Sequence, residues 1–466
     1  MFDLAAAAQS IGARHIGGNA QIRRVTTDSR DVRAGDLFVG IRGDRFDGQA
    51  FADQALHGGA AAAMVSDAAT VKTPGARLMV VPDCRIALGQ LASWWRMQFD
   101  IPLVAITGSN GKTTVKELLA SILRQAAGES GVLATVGNLN NDIGMPLTLL
   151  SLRRSHRYAV IEMGMNHLGE ISYLSRLAKP GIALINNAGT AHIGELGSIE
   201  AIARAKGEVF DGLDKSGSAI INNDDAHADY WRGLVRGRKV VDFGLDRNSA
   251  VSARYELTDA GSLMTIQTPD AQFVATLNVP GMHNVKNALA AATVAYALGI
   301  KPQDIAAGLG AYQGVKGRLQ RKRMPSGAVL IDDTYNANPE SMKAAISVLA
   351  SRKGKKIFVM GDMGELGENA EAMHLSIGEF AKRAGLDRLF ALGDMSALAV
   401  RSFGDAGRHF ESVEALALAV SEEAGPEANV LVKGSRFMRM ERVVEALGAT
   451  GDGKAGNGEK TAKGGA

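Results

Sequence analysis

The segment Thr107-Gly108-Ser109-Asn110-Gly111-Lys112-Thr113-Thr114 stands between the apolar run Leu103-Val104-Ala105-Ile106 and an amphipathic stretch over residues 115–123. A buried strand, a glycine-containing turn and a helix in immediate succession leave few folds open, because such a strand finds parallel partners through helical crossovers. The turn has the chemistry of a phosphate loop. Glycines let backbone N–H groups approach phosphate oxygens, and the helix N-terminus favours their negative charge. Lys112 is placed to neutralise β- and γ-phosphates, and the Thr113 hydroxyl to hold Mg²⁺. Gly108, Ser109, Asn110, Gly111, Lys112, Thr113 and Thr114 are therefore the first candidate nucleotide-binding residues. The full P-loop pattern is not met, because Ile106 stands where its first glycine belongs. The plain alternative is a glycine-rich turn with an ordinary surface lysine. The motif alone does not say whether a phosphate goes to water, a hydroxyl or a carboxylate.

Around this segment the chain divides into three α/β units and a tail, consistent with its 466 residues. Residues 1–98 carry the short apolar run Asp36-Leu37-Phe38-Val39-Gly40-Ile41, an Ala-rich helical stretch and the strand-like Leu78-Met79-Val80-Val81, as in a small α/β domain. Residues 99–316 alternate strands such as Tyr158-Ala159-Val160-Ile161 and Ala183-Leu184-Ile185 with helical segments, which predicts a mostly parallel sheet. Residues 250–279 alternate more strictly and read as antiparallel hairpins, followed by a helix over 284–298. Residues 317–449 repeat strand-then-helix at Val329, Ile357, Leu389 and Val430, a Rossmann-like pattern. Residues 450–466 are Gly, Lys and small polar residues without apolar periodicity and are expected to be disordered.

A net charge of +3 over this length gives no field that would recruit nucleic acid or an anionic membrane. The single cysteine, Cys84, forms no internal disulfide and builds no cysteine metal site, which fits a reducing compartment. The N-terminus Met1-Phe2-Asp3-Leu4-Ala5 lacks the basic region, apolar run and cleavage site of a secretory signal, and no long apolar run occurs, so a cytoplasmic protein without membrane insertion is expected.

Further polar residues fall at strand ends of the central unit. Glu162 follows Tyr158-Ala159-Val160-Ile161, His192 follows the Ile185-Asn186-Asn187 strand end, and Lys206 comes next on a helix. Ligands gather beyond the carboxyl ends of strands in doubly wound sheets, so these groups are candidates to meet the phosphates. A carboxylate suits Mg²⁺ and a neutral His is a possible second ligand. Alternatively Glu162 caps a helix, His192 is a satisfied loop residue and Lys206 is a solvated charge. Their order behind a phosphate loop favours the functional reading.

A longer series of motifs follows the same order. It comprises Gly137-Asn138-Leu139-Asn140-Asn141, Glu162-Met163-Gly164-Met165-Asn166-His167, Ala203-Arg204-Ala205-Lys206-Gly207-Glu208 and Pro280-Gly281-Met282-His283-Asn284 with Asn287. Gly317-Arg318, Asp332-Asp333, Tyr335-Asn336-Ala337-Asn338-Pro339, Gly361-Asp362-Met363 with Glu365-Leu366-Gly367, and Lys433-Gly434-Ser435-Arg436 complete it. In this series the chain resembles the Mur ligases over nearly its whole length.

The resemblance implies a UDP-substrate-binding N-terminal domain, a central ATPase domain and a Rossmann-like last domain. It implies an ATP-dependent ligase that joins D-alanyl-D-alanine to UDP-N-acetylmuramoyl-tripeptide through an acyl phosphate, acting as a monomer. It implies two Mg²⁺ ions, one near Thr113 and Glu162, the other held by His192 and a carbamylated Lys206. Carbamylation would turn a cation that repels Mg²⁺ into an anion with oxygen donors. Lys112, Lys206, His192 and Arg318 are the catalytic candidates by the same likeness. Asn284 and Asn287 would contact adenine, Asp333 the ribose and Arg318 the phosphates, with helix capping the alternative for the two asparagines. Ser29 and Arg30, in Thr27-Asp28-Ser29-Arg30, match the uridine-diphosphate site, with a surface turn as the alternative. Asn138 is a candidate substrate-binding residue, and Tyr335 and Asn336 are candidates for the incoming dipeptide, with Lys433, Ser435 and Arg436 less firmly placed. Gln49 stands where the family often carries His.

A sister ligase for a single amino acid, or a folate polyglutamate synthetase, would share the ATP site. The Asp-Asn-Pro-Arg motif usual in the diaminopimelate ligase does not occur, and folate ligases lack a comparable domain before the phosphate loop. A nucleotide-driven switch protein is the rival from another class.

Overall fold

The computed structural model describes residues 1–43, 46–258 and 260–451. Most of the expected tail, residues 452–466, lies outside them. Its first two residues do not behave as expected: Thr450–Gly451 pairs antiparallel with Gln320–Arg323 at the edge of the last sheet.

Three principal sheets organise the chain. The N-terminal one has the order Arg14–Ile16, Leu78–Val80, Ala62–Val65, Asp36–Val39, Arg24–Thr26, parallel except for the first strand. The Ala-rich stretch divides here into a helix, Ala52–His57, and the wholly buried strand Ala62–Val65. Alanine favours helix by propensity, but a strand covered on both faces accepts it, so tertiary burial overrides the local preference. Gln49 is also buried, and its side-chain oxygen accepts from Ser66 N at 2.6 Å and Ser66 Oγ at 2.9 Å, so it ties loop to strand.

The central sheet has nine strands. From one edge they run Val132–Ala134, Tyr158–Glu162, Leu103–Thr107, Ile182–Ile185, Ser218–Asn222 and Lys239–Gly244, all parallel. Val251–Leu257 continues parallel, and Ser262–Gln267 and Gln272–Leu277 close the sheet as the expected antiparallel hairpins. The phosphate-loop strand lies between Tyr158–Glu162 and Ile182–Ile185, where the chain switches from one side of the strand to the other. A crevice opens beyond the strand ends at such a switch.

One face of this sheet shares a continuous apolar core with the N-terminal unit. The helix Cys84–Arg96 bridges the two, and Trp95 Nε1 donates to Leu152 O at 3.2 Å. The last sheet runs Gly407–Phe410, Arg388–Leu392, Lys356–Gly361, Asn429–Lys433 and Val329–Asp333 in parallel, with helices on both faces. Among the described residues no helix is long and apolar enough to cross a membrane.

Candidate active site between the central and last sheets

Beyond Leu103–Thr107 the chain turns through Gly108, at φ +154°, and Gly111, at φ +80°. Gly111 then begins the helix Lys112–Ala127. The next strand end braces this loop: Asn110 N donates to Asn187 Oδ1 at 2.9 Å and Asn186 Nδ2 donates to Asn110 O at 2.9 Å. Asn186 Nδ2 also reaches Asn287 Oδ1 at 3.0 Å. A Cβ on Gly111 would stand 2.2 Å from that same Asn287 oxygen, so only glycine fits.

Glu162 is buried, and its two oxygens are held apart by different donors: Thr113 Oγ1 at 2.9 Å and Asn140 Nδ2 at 2.8 Å. Lys112 Nζ folds back onto Gly108 O at 2.6 Å, and burial holds its pKa below the ordinary lysine value. Lys206 is 1% exposed on the helix Ile199–Gly207. Among the described residues no hydrogen bond or ion pair reaches its amine, and desolvation, with Lys112 nearby, lowers its pKa far below that of an exposed lysine. His192 has a left-handed backbone, φ 65°, and its Nδ1 lies 2.7 Å from Glu365 Oε2 of the last unit, at an angle short of a regular hydrogen bond. The contact holds the Glu365 carboxyl below its usual range.

Two adjoining cavities open on the loop. One of about 370 Å³ is lined by Asn222, His283, Asn284, Asn287, Asp333 and Lys433 among others. The second, about 570 Å³, is lined by Asn138, Glu162, His192, Tyr335, Asn336 and Glu365 among others. Asn110, Gly111, Arg318 and Ser341 belong to both walls. Arg318 stacks on the Tyr335 ring at 4.2 Å, its Nε has no partner among the described residues, and the residue lines both cavities, where a guanidinium suits an anion. Asp333 accepts from Leu319 N at 3.1 Å and pairs with Lys433 at 2.7 Å. Burial beside Lys433 lowers the His283 pKa to about 4, so the ring is neutral at physiological pH.

The site thus gathers the expected Lys112, Thr113, Glu162, His192, Arg318, Asn284, Asn287, Asp333, Asn138, Tyr335 and Asn336 around one loop. Gly281, not an asparagine, is the N-cap of the helix Met282–Ala297, and Asn284 donates instead to Pro280 O at 2.8 Å. Ser29 and Arg30 line neither cavity, and the Arg30 guanidinium pairs with Asp28 at 2.8 Å on the surface. Among the described residues no three His, Cys, Asp or Glu side chains gather as a metal cage. Residues without an assigned role in the sequence reading are Asn140, Asn186, Glu340 and Glu365. Asn140 and Glu365 stand inside motifs quoted above, but their partners are far away in sequence, so spacing carried no signal of their roles.

Three family profiles match the chain in order: "Mur ligase family, catalytic domain" at residues 21–96, "Mur ligase middle domain" at 106–295 and "Mur ligase, glutamate ligase domain" at 317–436. The UDP-N-acetylmuramoyl-tripeptide–D-alanyl-D-alanine ligase of Escherichia coli K12 is 43% identical over 441 residues, covering 93% of this chain and 96% of that one. The Bacillus subtilis 168 protein of the same name is 36% identical over 441 residues, covering 91% and 93%. A crystal structure of MurF from Acinetobacter baumannii superposes with TM-score 0.88 at 37% identity, covering 95% of this chain and 98% of that one. MurF ligase from Thermotoga maritima in complex with ADP gives 0.81 at 29% identity, covering 91% and 97%.

Proposed function

The chain belongs to the Mur ligase family, and from that premise we infer that it joins D-alanyl-D-alanine to UDP-N-acetylmuramoyl-tripeptide with conversion of ATP to ADP and phosphate. The observation that carries the reading is the shared wall of the two cavities. A nucleotide whose base enters the smaller cavity brings its terminal phosphate past Gly111 and Arg318 to the larger one. That is the arrangement needed for phosphoryl transfer to a carboxylate in the second cavity.

The reaction proceeds in two steps. The tripeptide's terminal carboxylate attacks the γ-phosphorus, ADP leaves, and an acyl phosphate results. The dipeptide amine then attacks the acyl carbon, phosphate leaves, and the amine's extra proton passes to solvent or phosphate. Backbone N–H groups of the phosphate loop, Lys112 and Arg318 neutralise the charge that develops, and the low-dielectric site strengthens them. Asn284 and Asn287 are assigned to the base, Asp333 to the ribose, Asn138 to substrate, and Tyr335 and Asn336 to the acceptor. Ser29 and Arg30 are assigned to the uridine diphosphate, for which the exposed Arg30 guanidinium would exchange its surface pairing with Asp28.

The residues present fit two Mg²⁺ ions. Thr113 and Glu162 offer a hydroxyl and a carboxylate side by side, as a hard cation needs, with phosphate and water completing its shell. Lys206 as an ammonium would repel an ion, but a buried amine with a depressed pKa and no partner among the described residues is the neutral nucleophile that adds CO₂ and gives up a proton to solvent. The carbamate so formed, with His192, would hold the second ion. Bound there, Mg²⁺ would neutralise phosphate charge. A monomer in the cytoplasm is the proposed setting, and the lone, buried Cys84 fits a reducing compartment.

Phosphate release with ATP, Mg²⁺ and UDP-N-acetylmuramoyl-tripeptide tests the activity, comparing D-Ala-D-Ala, D-Ala and meso-diaminopimelate as acceptors. Turnover with D-Ala-D-Ala alone and a pentapeptide mass are expected. Release that ignores the acceptor would leave a nucleotide-driven switch and remove the ligase reading.

A further inference from the structure

Glu365 is an acidic group of the larger cavity that the proposed chemistry leaves without a task. It comes from the last sheet's unit, four residues beyond the strand Lys356–Gly361, yet its carboxylate reaches His192 of the central unit at 2.7 Å. Both residues have left-handed backbones, at φ 65° and 62°, a conformation that non-glycine residues hold only where the surroundings enforce it. The enforcement is visible. Gly194 N donates to Glu365 O at 3.0 Å, and a Cβ on Gly194 would come within 2.7 Å of Gly367 N and 2.8 Å of Glu365 O. The two loops therefore meet backbone to backbone, with no room for a side chain at the contact. The side chains meet at the wall of the larger cavity, which Glu162 also lines.

A histidine that ligates a metal through one ring nitrogen commonly donates the other N–H to a carboxylate, which fixes the tautomer and the ring plane. We propose that Glu365 is the positioning residue for His192, holding its Nδ1–H so that Nε2 is free for the second metal ion, and that the last domain thereby completes this metal site only when it closes. The proposal rests on the reading of His192 as a ligand. The Nδ1 contact is already at hydrogen-bond distance, so a small change in angle would complete the bond.

The test is an electron paramagnetic resonance titration of Mn²⁺ into the full-length enzyme, carrying a non-hydrolysable ATP analogue and UDP-N-acetylmuramoyl-tripeptide in bicarbonate buffer. Glu365→Ala should weaken the second Mn²⁺ by about 10–100-fold, the range for loss of such a carboxylate, while the first ion is unaffected. Glu365→Gln, which still accepts the hydrogen bond, should keep most of the affinity. In a His192→Ala background the Glu365→Ala effect should vanish, because the carboxylate acts through the ring. A second Mn²⁺ bound by Glu365→Ala as by the parent, with His192→Ala weakened, overturns the inference and leaves the ligand reading standing. Equal losses from Glu365→Ala with and without His192 also overturn it. If His192→Ala itself binds both ions normally, the ligand reading fails and the inference falls with it.

Discussion

At Lys206 the proposed carbamate chemistry would come at a cost in stability. Its amine is enclosed with no partner among the described residues, and its pKa lies far below the ordinary 10.5, so folding releases a proton at any pH between the two values. Stability must then rise with pH through that window, and the destabilising contribution disappears only above 10.5. Lys206→Met keeps the volume and removes the ionisable group. In CO₂-free buffer near neutrality it should raise the melting midpoint by about 2–4 °C, a gain of about 1 kcal/mol for a unit of this size. The gain should shrink as pH approaches that of free lysine, and calorimetry across pH checks both parts. Activity should move the other way. Lys206→Ala should lose most turnover and Lys206→Glu, which supplies carboxylate oxygens, should retain more; substituted enzymes as active as the parent would remove the carbamate role.

At the scale of the element, the strand, turn and helix over residues 103–127 were legible because each level agrees: apolar strand, glycines where φ is positive, lysine at the helix start. Gly111 carries the sharpest test. An alanine there meets left-handed strain of about 1–2 kcal/mol and also displaces Asn287 and Asn186 from the loop they brace. Since 1.4 kcal/mol is tenfold in affinity, Gly111→Ala should weaken ADP binding by about tenfold or more, read by calorimetric titration, with circular dichroism unchanged. Elements set by long-range burial were less legible. The strand Ala62–Val65 reads as helix locally, and Thr450–Gly451 reads as tail, because only the neighbouring strands give either segment its conformation.

For the whole molecule, the sequence disclosed which motifs accompany one another but not how the last sheet's unit meets the central one. Those contacts join residues far apart: Asn338 Nδ2 donates to Asn110 Oδ1 at 2.8 Å, and Glu340 accepts from Thr190 N at 3.1 Å and Thr190 Oγ1 at 2.6 Å. No local pattern announces a pair separated by 150 residues. The connection between the units carries positive φ at Gly314, Gly317 and Leu319, a stretch suited to act as a hinge, since few residues need absorb a large backbone change. Domain motion is the default where an interface is polar, so the bridges set how far the free enzyme stays closed. The Glu340 contact is exposed and contributes about 1 kcal/mol, which is about fivefold in the ratio of closed to open molecules. Glu340→Ala should therefore open the ligand-free enzyme, raising the radius of gyration in small-angle scattering above the roughly 23 Å of a compact chain of this length. ATP with UDP-N-acetylmuramoyl-tripeptide should bring it back, because ligands that bridge both units favour closure by more than the lost contact. Glu340→Gln, which still accepts from Thr190, should stay nearer the parent; an alanine variant as compact as the parent without ligand would show that the remaining contacts hold the units together unaided.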